Sequence, residues 1–465
     1  MKKFTFAILT ILVSVCFVLS GCSSTPLNMP TNYDVVTSNG GFVVGVGNYL
    51  YFGNAYKSYS DLTERSDNEG NGVKNKALNL NRVELNDNAQ KSLKLDEKEK
   101  AKYENVVNKI AGYETSNMFV VGENLYFTSP NVHKNDSKDK DKYNTYEFNL
   151  NTLFKAKLDG TGLKEIYTTE KDGSKFCLTG GEKPTLLIYD NEKIMQVKCY
   201  EGATKTEKLA EKVKSTVFPY DNGVDFVDVY FTADREEGDL LTGDLVKKLN
   251  IKTGEITDVN NMATNKETIT LISYNGERLF YTRTGGVSDR VGLFSNDFST
   301  GSSERLHRYN EEPNFTATSK IYLIKAGEYL KEDAFVFEYK DNLYVQNISG
   351  NSEAAAKPIT TEKSKIAFVD GTYVYYTTEN GIYRVSVKTQ KITQISDIKD
   401  FETSVLDFDG RYVYFYTKAE NDTTGTKYLY RADVNTAEAG SVKTECIAEL
   451  LEDDMKEETA KTTEE

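Results

Sequence analysis

The chain has 465 residues, enough for a large core, and carries 71 acidic against 57 basic side chains, a net charge of −14. That sign excludes nucleic acid as a partner and excludes polybasic adhesion to anionic lipid, since both need clustered cations. With only two histidines, His133 and His307, neither a zinc site nor a Ser-His-Asp centre is expected.

Residues 1–21 read as a processing signal. Lys2 and Lys3 supply the charged start, and Phe4 to Leu19 is an apolar stretch too short for a membrane span. The closing Leu19-Ser20-Gly21-Cys22 resembles the lipobox of bacterial lipoproteins. That resemblance implies cleavage before Cys22 and its diacylation, palmitate being the kind of chain expected. Two acyl chains, at about 0.8 kcal/mol per buried methylene, anchor stably where one is marginal. Residues 22–34 then form the lipidated cysteine and a tether. Ser23 to Asn32, rich in Ser, Thr, Pro and Asn, spans at most about 35 Å. The anchor places the protein on the outer face of a cell membrane. Richness in Lys, Asn, Tyr and Ile points to an AT-rich genome and a Gram-positive source.

Residues 35–449 are organised by one phrase that occurs eight times. Leu80-Asn-Arg-Val-Glu-Leu, Leu153-Phe-Lys-Ala-Lys-Leu, Ile382-Tyr-Arg-Val-Ser-Val and Leu429-Tyr-Arg-Ala-Asp-Val are its closest copies. Looser copies begin at Ile194, Val246, Leu293 and Leu343. The third residues (Arg82, Lys155, Gln196, Lys248, Ser295, Val345, Arg384, Arg431) are separated after Lys155 by 41, 52, 47, 50, 39 and 47 residues. A period of this size means one stacked supersecondary unit per repeat. Ahead of most phrases lies an aromatic strand such as Tyr49-Leu-Tyr-Phe, Leu125-Tyr-Phe-Thr, Val374-Tyr-Tyr-Thr or Val413-Tyr-Phe-Tyr. Another strand precedes that one across a Gly turn, and a fourth follows the phrase. Four short strands per unit make the blade of a β-propeller. The expected fold is all-β, an eight-bladed propeller, or seven-bladed if the first unit is irregular.

The first gap of the ruler, 73 residues, holds an insertion. Within about 90–112, Tyr103, Val106, Val107 and Ile110 fall at helical spacing with Gly112 as a stop, so a short helix is expected in the first blade. Asn131 to Asn144, nearly all Lys, Asp and Asn, reads as a solvated loop. The tail, residues 450–465, is acidic and reads as a disordered solubilising end.

The strands Tyr126-Phe-Thr-Ser, Tyr230-Phe-Thr-Ala-Asp and Tyr375-Tyr-Thr-Thr-Glu resemble worn versions of the Tyr-Trp-Thr-Asp strand of low-density-lipoprotein-receptor-type propellers. Across residues 35–449 the closer resemblance is to bacterial lipoproteins of unassigned function that carry such a domain. The resemblance implies binding rather than catalysis and transfers no site residue.

Other candidate chemistry is thin. Cys177 and Cys199 fall on the first and third strands of the third unit, about 9–10 Å apart and beyond disulfide reach, and Cys446 is left over, so all three read as buried thiols. Asp234, Glu236, Glu237 and Asp239, like Asp136, Asp139 and Asp141, lack the spacing of a calcium loop and read as solvated. Gly40, Gly41, Gly45 and Gly47 lack the third glycine of a dinucleotide loop and precede a strand. The recurrent cations Arg82, Lys155, Lys248, Arg384 and Arg431 either line a channel or pair structurally within a blade. The expectation is therefore a non-enzymatic, cofactor-free module, anchored at Cys22, that binds an extracellular protein, peptide or glycan. The alternatives are a carbohydrate-active hydrolase or lyase with carboxylates at the channel mouth, or an envelope assembly scaffold. The first blade's insertion and the loops at 131–144 and 234–244 are the first regions expected to carry function.

Overall fold

The structure, a computed structural model, describes residues 26–32, 36–38, 40–53, 80–85, 104–105, 116–134, 146–171, 173–202, 204–218, 226–235, 242–259, 266–285, 291–307, 321–325, 332–348, 356–399, 406–418 and 427–450. Eight antiparallel sheets follow one another along the chain as the blades of a propeller ring. They cover residues 43–105, 116–168, 175–211, 215–258, 267–307, 321–358, 365–396 and 406–450, and are numbered 1 to 8 here. All eight phrases lie on third strands, and the aromatic strands ahead of them are second strands.

Burial explains the sequence pattern. Second strands are buried on both faces, as in Tyr49–Gly53, because each blade is covered on either side by a neighbour. Eight apolar clusters result, one at every blade-to-blade interface. Alternate residues serve opposite interfaces: Tyr49 and Tyr51 pack towards blade 2, whereas Leu50 and Phe52 pack towards blade 8. That last cluster, with Tyr414, Tyr416, Leu429 and Ile447, closes the ring.

Among the described residues no strand is shared at the closure, blade 1 being built from strands within 43–105 and blade 8 from strands within 406–450. Side chains bridge the junction instead. The Asp407 carboxylate accepts from Val43 N at 2.9 Å, Tyr416 OH donates to Gly53 O, and the Phe42 and Tyr416 rings lie 4.7 Å apart. A Cβ at Gly41 would sit 2.0 Å from Asp407 Oδ2, so only glycine lets the two blades meet here. The same kind of contact recurs around the ring: Asp244 of blade 4 accepts from Ile269 N, and Glu338 of blade 6 accepts from Ile366 N. Inner strands have one unpaired edge, and these carboxylates satisfy N–H groups that would otherwise be left without an acceptor.

An additional strand, Val36–Ser38, pairs antiparallel with Ser116–Val121, the first strand of blade 2, making that sheet five-stranded. The expected helix in the first blade is corrected at Glu104–Asn105, which form its fourth strand, paired with Asn81 and Arg82. A blade edge needs that strand, and sheet pairing overrides the helical spacing of the apolar residues. The rest of 90–112 lies outside the described residues. The short helix sits in blade 8 instead, at Val434–Glu438, capped by Asp433, whose side chain accepts from Asn435 N and Thr436 N.

Third strands of blades 5 and 7 open on Gly292 and Gly381, with φ of 147° and 136°. A Cβ there would lie 2.0 Å from His307 O and 2.1 Å from Ser396 O, on the fourth strand of the same blade. Gly381→Ala is expected to lower stability by roughly 2–4 kcal/mol through strain and clash together. Denaturant unfolding measures this, and an unchanged midpoint at unchanged slope would rule it out.

Candidate functional site

The recurrent cations do not line a channel. In register, Arg82 lies opposite Tyr51, Arg384 opposite Tyr375 and Arg431 opposite Tyr414. Each guanidinium lies over the tyrosine that opens the second strand: Tyr49 at 4.1 Å, Tyr373 at 4.2 Å and Tyr412 at 4.2 Å from the ring centroids. The structural reading of the cations is therefore the correct one. Lys155 likewise reaches Gly202 O of the next blade at 3.0 Å, and Lys248 pairs with Asp228 at 3.8 Å.

The three tyrosine–arginine units share a design and differ in what covers them. In blade 1 the cover is the chain's own N-terminal segment. Arg82 Nη1 donates to Asn28 O at 2.5 Å, and Thr31 N donates to Asn48 Oδ1. Thr31 O crowds the turn glycine Gly47, where a Cβ would lie 2.1 Å away. Leu27 N donates to Asp159 O, and Leu27 and Met29 pack on the apolar cluster between blades 1 and 2. The second half of the expected tether is thus bound to the propeller. In blade 8 the Arg411 guanidinium covers the other unit, 4.8 Å from the Tyr412 centroid.

In blade 7 the unit opens into a cleft of about 540 Å³. Its walls come from the Thr372–Tyr373 start of the second strand and from the hairpin joining third and fourth strands, with Ser386, Lys388, Thr389, Lys391 and Thr393. Glu438, from the blade 8 helix, closes one side and accepts from Arg384 Nη2 at 2.8 Å. The helix is held in place by its cap. Burial alone would raise the Asp433 carboxyl, but hydrogen bonds from Arg411 and the helix N–H groups outweigh it and hold the carboxyl below the ordinary range. Gly371, the counterpart of Gly47, has nothing within 4 Å of a Cβ position. Two lysines and five hydroxyl side chains line the cleft, and its one carboxylate is already held by Arg384, so the cleft suits an anionic, hydrogen-bonding ligand.

Other expected sites resolve differently. Cys22, Asp136, Asp139, Asp141, Glu236, Glu237 and Asp239 lie outside the described residues, as does the tail from 451. Asp234, exposed as expected, pairs with Lys214 at 2.9 Å, and the same lysine holds the buried Asp244 at 2.6 Å. Cys177, Cys199 and Cys446 form no disulfide, and burial raises the Cys199 thiol to about 11, which keeps it protonated and unreactive at neutral pH. His307 packs beside Phe337. Among the described residues no cluster of three metal-ligating side chains occurs, and no helix is long and apolar enough to cross a membrane.

No family model matches the chain, and no curated protein matches it. Its fold is found in solved structures of low identity. Oligogalacturonate lyase from Vibrio parahaemolyticus is 11% identical, with 67% of this chain and 87% of that one covered at a TM-score of 0.40. TolB from Acinetobacter baumannii is 18% identical over 52% of this chain and 58% of that one, at 0.31. A puromycin hydrolase is 10% identical over 72% and 54%, at 0.42. These similarities correct the expectation of a non-enzymatic chain. The propeller fold also serves a lyase and several peptidases, so the fold gives no ground for excluding catalysis.

Proposed function

We infer that this protein is an exported lipoprotein, anchored through diacylated Cys22, whose propeller, of the low-density-lipoprotein-receptor type, binds a partner held close to the membrane. The observation that carries this reading is the docking of residues 27–31. They lie against turns that join first to second and third to fourth strands, which places them on one face of the ring. Leu27 lies five Cα steps beyond Cys22, a reach of at most about 18 Å. Seven-residue strands such as Tyr412–Lys418 are about 23 Å long, so the opposite face lies beyond that reach. The anchor would then hold the docked face towards the lipid, and the blade 7–8 cleft opens on that same face. A protein, peptide or glycan at the membrane surface is the partner class this supports.

Two measurements in intact cells test the reading. Palmitate labelling is expected for the wild type and not for Cys22→Ser. A photo-crosslinking residue at Thr372 is expected to give partner adducts, and one at Asn191, on the opposite face, is not. Labelling that survives Cys22→Ser, or equal adducts from both positions, would contradict it.

A further inference from the structure

We propose that the blade 7–8 cleft is a groove for an extended acidic peptide segment of a partner protein, an assignment that rests on the binding-module reading above. The molecule's own repeat points to this ligand. Gly47, Asn48, Tyr49, Tyr51 and Arg82 in blade 1 correspond to Gly371, Thr372, Tyr373, Tyr375 and Arg384 in blade 7, by strand position and by register.

At the blade 1 position the protein binds an extended peptide, its own residues 27–31. The contacts are of the kind that recognise main chain. A backbone carbonyl at Asn28 takes the arginine, a backbone N–H at Thr31 takes the side chain of the turn residue, and a second carbonyl at Thr31 lies flush on the turn glycine. That last approach is available only where the turn residue has no Cβ. Leu27 and Met29 pack on the cluster that contains Tyr49, which is 7% exposed.

At the blade 7 position the turn again carries a glycine at positive φ, 53°, no described residue lies within 4 Å of a Cβ there, and Tyr373 is only half-buried. A threonine replaces the asparagine and keeps a side chain that can accept from a main-chain N–H. What differs is the charge of the walls. Blade 1 meets its peptide with Leu27 and Met29 packed on an apolar cluster. Blade 7 meets its ligand with Lys388 and Lys391 on the adjoining hairpin. The backbone-reading floor is therefore common to both, and the walls select carboxylate side chains in place of apolar ones. A glycan could use the hydroxyls and the lysines, but the repeat itself favours a peptide, since the matching tyrosine–arginine unit of blade 1 takes a main-chain carbonyl.

The test uses the full chain and a fluorescent hexapeptide of alternating threonine and glutamate, with a threonine–glutamine hexapeptide as the neutral control and a glucuronate oligosaccharide as the competing class. Anisotropy titration is expected to show saturable binding of the glutamate peptide, at least tenfold weaker for the control. The surface double variant Lys388→Glu with Lys391→Glu is expected to weaken it by a further tenfold or more while unfolding at the wild-type midpoint. Repeating the titration with residues 451–465 deleted removes the tail's own carboxylates as competitors and is expected to leave binding no weaker. Equal affinity for both peptides, no effect of the double variant, or preference for the glucuronate would overturn the assignment. Adducts at Thr372 in cells, alongside any of these, would leave the binding-module reading standing and remove only the peptide class.

Discussion

The Asp407→Asn variant is expected to lose a pH dependence that the wild-type ring carries at its junction. Burial pushes the Asp407 carboxyl up to about 7, outweighing the N–H groups of Val43 and Phe408 that donate to it. Unfolded, the same carboxyl ionises near 3.9, as an approximate reference value. Between those two values the folded state binds the additional proton. The contribution of this group to stability is therefore fully present below about pH 4 and declines as pH rises through about 7. From pH 5 to pH 8 the loss amounts to about 2.5 kcal/mol. Asparagine keeps a carbonyl acceptor and never ionises. Urea unfolding at pH 5 and pH 8 should show the wild type losing about that much more than the variant, with other titrations cancelling in the difference. Parallel behaviour would refute the buried position of this carboxyl. Asp407→Ala is a harsher change, since it strands the buried Val43 N–H at about 1–3 kcal/mol and the part-buried Phe408 N–H, in a junction where no described strand is shared.

The second large effect is expected at Arg431. Its guanidinium is buried over Tyr412, its Nε donates to Glu445 Oε2 at 3.0 Å, and Nη2 lies 3.0 Å from the same oxygen as an ion-pair contact. Burial works to raise the Glu445 carboxyl, but Lys443 and Arg431 more than offset it, so the folded group titrates below its ordinary range. That stabilisation is present above the unfolded value and is lost as pH falls through the folded one, the opposite direction to Asp407. Arg431→Ala leaves a buried carboxylate with only an exposed lysine and opens a void under an aromatic ring. Breaking a buried pair in this way costs about 3–5 kcal/mol. Replacing both partners with leucine is expected to recover most of the loss, because the orphaned charge goes with its partner. A loss below about 1 kcal/mol for Arg431→Ala would place the pair among surface ion pairs.

Much of the architecture was legible in the chain because the repeat acts at the level of single strands. The phrase marks third strands, and the tyrosines ahead of it mark second strands, since every blade must bury both faces and those positions see both neighbours. Local pattern could not reveal contacts set by ring closure. Nothing around Asp407 distinguishes it from an exposed turn aspartate until Val43, 364 residues away, comes to lie beside it. The same holds for residues 27–31. A stretch of Pro, Asn and Thr reads as tether, and only the arginine–tyrosine unit of blade 1 turns it into a bound strap. At Glu104–Asn105 helical spacing misled because the requirement for a fourth strand comes from the sheet and not from the segment. The cleft was missed for a related reason. Its signal was the repeated tyrosine–arginine unit, but which copy stays uncovered depends on what else packs nearby.

The most direct test of the whole account is a crystal structure of the protein with the threonine–glutamate hexapeptide. Eight blades are expected, with residues 27–31 seated on blade 1 and the peptide extended along Gly371, Thr372 and Tyr373, its carboxylates at Lys388 and Lys391. A peptide bound elsewhere, or Tyr373 covered by a segment of the chain itself, would contradict it.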